Sequence, residues 1–60
     1  MKTIVTSRKV AAVIRYLCEK NGFTFTSMEI AKDKVAIIVD VDEKICNDLL
    51  VFGKKVANAV

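Results

Sequence analysis

Sixty residues, 53% hydrophobic and 28% charged, are too few for more than one domain, residues 1–60, and too apolar for a disordered chain. Neither histidine nor tryptophan occurs, which argues against histidine-based catalysis and against zinc sites of the Cys/His kind. Ten Lys and Arg against seven Asp and Glu give a modest net charge of +3, and the excess falls on residues 1–20, where Lys2, Arg8, Lys9, Arg15 and Lys20 face Glu19 alone.

Met1 to Thr6 is short and rich in β-branched residues, and is expected to form a brief edge strand. Ser7 or Thr6 is placed to cap a helix over Ser7 to Lys20. Within it Val10, Val13, Ile14, Leu17 and Cys18 repeat at helical spacing and predict one buried stripe. Arg8, Ala12, Arg15 and Glu19 run down the opposite side. Asn21-Gly22 is a stop signal, because glycine tolerates the left-handed position after a helix.

Phe23 to Lys32 alternates, but Phe23 and Phe25 have one parity and Met28 and Ile30 the other. A strict period of two cannot bury all four, so a bulge near Thr26-Ser27 is expected. The alternative turns Met28 and Ile30 outward as a contact surface. Lys32-Asp33-Lys34 is a polar break of hairpin length. Val35 to Val41 reads as the central strand, apolar on both faces around Ala36 to Ile38.

Asp40 with Glu43 matches a capping box, with Asp42 as the competing N-cap, and a second helix is expected from Glu43 to Asn58. Ile45, Leu49, Phe52 and Val56 form its core-facing stripe. Cys46, Leu50 and Gly53 form the adjacent one, and a bend at Gly53 is allowed for. The order β-α-β-β-α predicts an α+β fold: an antiparallel sheet of order 1-3-2 with two helices on one face. By element order this is similar to a ferredoxin-like fold lacking its last strand.

The stretch VIRYLCEKNGF, residues 13–23, resembles the opening of HicA-type small RNA-binding toxins. The resemblance implies a glycine-serine-histidine motif on the next strand. Here that strand reads Thr24-Phe25-Thr26-Ser27, so the comparison argues against such a nuclease.

No catalytic residue, cofactor or small-molecule substrate is expected. Ser7, Ser27, Cys18 and Cys46 have no histidine to activate them. The carboxylates of Asp40, Asp42 and Glu43 read as helix caps. Two cysteines are too few for a disulfide framework, so both are expected as reduced, buried thiols, with a Cys18–Cys46 bridge as the alternative. No apolar run approaches the roughly 20 residues of a membrane span, and polar residues interrupt any leader-like segment. A cytoplasmic address follows as the expectation.

Two surfaces remain. The second helix carries Ile45, Cys46, Leu49, Leu50, Val51, Phe52, Val56 and Val60, more than one stripe of a small domain can bury. Leu50, Val51 and Phe52 are therefore expected to contact a protein partner or a second copy of the chain. The outward sheet face, with Ala36 and Ile38, and the short strand edges offer a further opening. Arg8, Lys9, Arg15 and Lys20 are expected to meet a charged partner. The functional expectation is a non-catalytic protein-binding module: a small inhibitor, antitoxin-like or accessory factor. A nucleic-acid-binding regulator using the basic face of the first helix is the alternative.

Overall fold

The computed structural model describes residues 1–59, and Val60 lies outside the described residues. The elements run β1 (Lys2–Thr6), α1 (Arg8–Lys20), β2 (Phe25–Ala31), β3 (Lys34–Val39) and α2 (Glu43–Ala57). The three strands form one sheet in the order β1-β3-β2, and both pairings are antiparallel. β1 and β2 therefore run parallel, with β3 between them, and the fold is α+β as expected.

Register decides which side chains meet the helices. Ile4 stands opposite Ile37, which in turn stands opposite Ser27; Phe25 stands opposite Val39 and Glu29 opposite Val35. Directly opposed residues share a face. Ile4, Val35, Ile37 and Val39 are buried on that face, and Val10, Ala11, Ile14, Cys18, Leu49 and Ala57 cover it from α1 and α2. Ile14 and Ile37 are fully buried, and each contributes about 2–3 kcal/mol by leaving water.

The helix ends follow from local chemistry. The hydroxyl oxygen of Ser7 accepts from the amide of Val10 at 3.3 Å and starts α1 at Arg8. The carboxylate of Asp42 accepts from the amide of Ile45 at 2.9 Å, so Asp42 rather than Asp40 is the N-cap of α2. At the end of α1, Gly22 has φ 72°. Its amide donates to the Glu19 carbonyl, and the Phe23 amide donates to the Cys18 carbonyl at 2.9 Å. This is a Schellman closure, which brings Phe23 against the core from outside any strand.

Two sequence expectations are corrected here. The bulge lies between Glu29 and Ala31, not at Thr26-Ser27. Pairing is continuous from Phe25 to Glu29, so Phe25 faces the helices while Met28 and Ile30 stay exposed. The shift adjoins the two-residue turn at Lys32-Asp33. No residue there has the positive φ of a primed hairpin turn, and a bulge supplies the twist that such a turn would otherwise give.

The second correction concerns the rotation of α2. Its buried residues are Leu49, Gly53 and Ala57, with Leu50 and Cys46 partly covered. Phe52 and Val56, expected on the core stripe, are 49% and 42% exposed. The cause is the small-residue row. Gly53 sits so close to Ile14 and Val10 of α1 that an added Cβ would lie 2.8 Å from Ile14 Cγ1. Helices approach most closely where side chains are smallest, so the larger side chains are left outside.

Candidate interaction surfaces

The outer face of α2 and the end of α1 enclose a groove of about 490 Å³. Leu17 of α1 and Ile45, Leu49, Val51 and Phe52 of α2 form its apolar lining. Asn21, Asp48 and Lys55 supply polar atoms around it. Val51 is 66% exposed, as the helical rotation away from the core stripe requires. Of the three residues expected at an interface, Val51 and Phe52 are accessible there. Leu50 packs partly against the core instead.

The basic face of α1 is less uniform. Lys9, Arg15 and Lys20 are exposed. The ammonium of Lys20 lies 5.7 Å from the centre of the Tyr16 ring, within cation–π range. Arg8 is engaged within the fold. Its guanidinium pairs with the Glu29 carboxylate and donates to the Lys32 carbonyl at 2.9 Å. The Arg8 amide also points at the Asp33 carboxylate at 3.4 Å. α1 has no acid in its own first turn, and Asp33 supplies one from the hairpin, where the helix dipole favours it. Arg15 lines a cleft of about 300 Å³ between α1 and β2 that also holds Tyr16, Glu19 and Phe25. Phe25 faces the helices, and both it and Phe23 pack against the core.

The open face of the sheet is a second apolar surface. Ile38 lies there as expected. Ala36 is only 8% exposed because Val5 and Met28, its register neighbours, flank it. Val5 and Met28 are 52% and 53% exposed. Sequence pattern alone did not single out Val5, since a strand with Ile4 and Val5 in succession does not say which one is inside.

Both cysteines are free, Cys18 buried and Cys46 only partly so, although the two helices lie side by side. Burial pushes the Cys18 thiol above its ordinary value of 9.0. Full burial was expected of Cys46 too, and its position at the margin of the α2 contact leaves it half-covered. Among the described residues, no three His, Cys, Asp or Glu side chains gather as a metal site would need. No described helix is long and apolar enough to cross a membrane. Compared with protein-family models, with curated proteins and with solved structures, the chain finds no match in any of the three.

Proposed function

We propose that this chain is a non-catalytic protein-binding module of the cytoplasm, a small inhibitor, antitoxin-like or accessory factor that masks a partner's site with the outer face of α2. The groove beside Val51 and Phe52 carries this reading. The core closes without either side chain, through Leu49, Gly53 and Ala57, so two large apolar residues stand in water where an interface would cover them. Arg15 and Lys9 then orient a charged partner, while Arg8 serves the fold first.

The second reading, a nucleic-acid-binding regulator, is favoured by the exposure of Lys9, Arg15 and Lys20 beside Tyr16. It is weakened by the pairing of Arg8 with Glu29 and by Glu19 in the Arg15 cleft. Immobilised chain incubated with lysate of the source cells, with and without nuclease, separates the two. The protein reading expects nuclease-resistant capture that Val51→Lys abolishes and Arg15→Glu weakens without abolishing. Nuclease-sensitive capture, kept by Val51→Lys and lost on Arg15→Glu, would replace it with the nucleic-acid reading.

A further inference from the structure

Asp48 and Lys55 line the same groove, one on each side of Val51 and Phe52 along α2. They are two helical turns apart and so lie on one face. Read from the N-terminal end, this face runs acid, valine, phenylalanine, base. Such a face is its own complement when a second copy is laid against it in the opposite direction.

We propose that a second copy of this chain closes the outer face of α2, in an antiparallel α2–α2 pair about a two-fold axis. The proposal rests on the reading that this face is an interface: in the free protein a second copy covers it, and a protein partner takes the same face by displacing that copy. In the pair, Asp48 of each copy meets Lys55 of the other, and Val51 of each meets Phe52 of the other. A two-fold axis makes every contact twice, so both charge pairs and both apolar contacts are doubled. Lys44, on the same face, falls opposite Ala59 of the second copy and meets no like charge. A parallel pair would set Asp48 against Asp48 and Lys55 against Lys55, and like charges in apposition select against it. Antiparallel helix dipoles favour the same direction. The two Phe52 rings, half-exposed in one copy, then leave water against Val51 of the facing helix.

Charge exchange tests this directly. Sedimentation equilibrium of purified wild type across a concentration series should show a monomer–dimer equilibrium. Asp48→Lys alone and Lys55→Asp alone should each raise the dissociation constant about tenfold or more, because each places like charges opposite one another twice. An equimolar mixture of the two variants should recover the wild-type constant, since one now offers two lysines and the other two aspartates. The double exchange D48K/K55D should recover it as well. Asp48 and Lys55 are exposed, and unchanged far-ultraviolet circular dichroism verifies that each variant folds. A wild type that stays monomeric to about millimolar concentration assigns the face to a different partner and overturns the proposal. So does a dimer indifferent to the single exchanges, or a mixture that fails to recover. Any of these leaves the protein-partner reading to the capture experiment, which depends on Val51 and not on the charge pair.

Discussion

Gly53 controls how closely the two helices approach. An alanine there gains about 1 kcal/mol of helix propensity. Its Cβ, however, would lie 2.8 Å from Ile14 Cγ1 and 3.3 Å from Val10 Cγ1. Cγ1 is the branch of a fully buried side chain and has nowhere to swing. Gly53→Ala is therefore expected to lower stability by about 1–2 kcal/mol, measured as a shift in denaturant midpoint. In an Ile14→Ala background the same change should be neutral or stabilising. Equal cost in both backgrounds would mean that the contact is not the cause. The thiols make a second pair of contrasts. Above pH 9.0 the unfolded chain releases the Cys18 proton while the folded chain, with its raised value, retains it. Stability is then fully present below about pH 9 and falls as pH rises toward the folded value. Cys18→Ala should flatten that alkaline decline. A thiol reagent should modify half-covered Cys46 well before Cys18 in the native protein, and comparable rates would contradict the burial.

At the scale of elements, α1 is tied to the far end of the β2–β3 hairpin by one residue. Arg8 reaches the Glu29 carboxylate and the Lys32 carbonyl, while its amide faces Asp33. The pair is half-exposed, so its charge contribution alone is small. The carbonyl contact adds to it, and Arg8→Ala is expected to cost about 1 kcal/mol. Hydrogen exchange should quicken at the hairpin tip, near Lys32 and Asp33, more than in the core of β3. Glu29→Ala should cost little once Arg8 is gone. A tip that exchanges equally in both proteins would show that the tie does not hold it. None of this was legible from the chain, because Arg8 and Glu29 lie on different elements and no local pattern joins them. The elements themselves were legible where packing follows periodicity: Val10, Ile14 and Cys18 mark the inner side of α1, and Asn21-Gly22 marks its end. Periodicity failed at β2 and α2 for physical reasons. β2 is an edge strand with helices on one side only, so nothing compels Met28 inward. The inward turn of α2 was set by the small size of Gly53 and Ala57, which a count of large apolar residues overlooks.

Across the whole molecule, the sheet order followed from element order and the handedness of the β1–α1–β2 crossover. The accessible position of Val51 followed from helical rotation. The separate fates of Leu50 and Phe52 did not, since each lies next to the boundary that the helix–helix contact draws. The antiparallel pairing of β1 with β3 has a further consequence for how the protein is made. β1 leaves the ribosome before its partner strand β3 exists: Lys2 pairs with Val39 and Thr6 with Val35. The first strand and α1 must wait, unpaired, until the hairpin that follows them has been synthesised. Even then β1 and the inner side of α1 lack part of their cover until Leu49, Gly53 and Ala57 emerge on α2. Ribosome-bound chains halted before α2 should therefore remain sensitive to protease along β1 and α1, and protection should arrive in one step once α2 has cleared the exit tunnel.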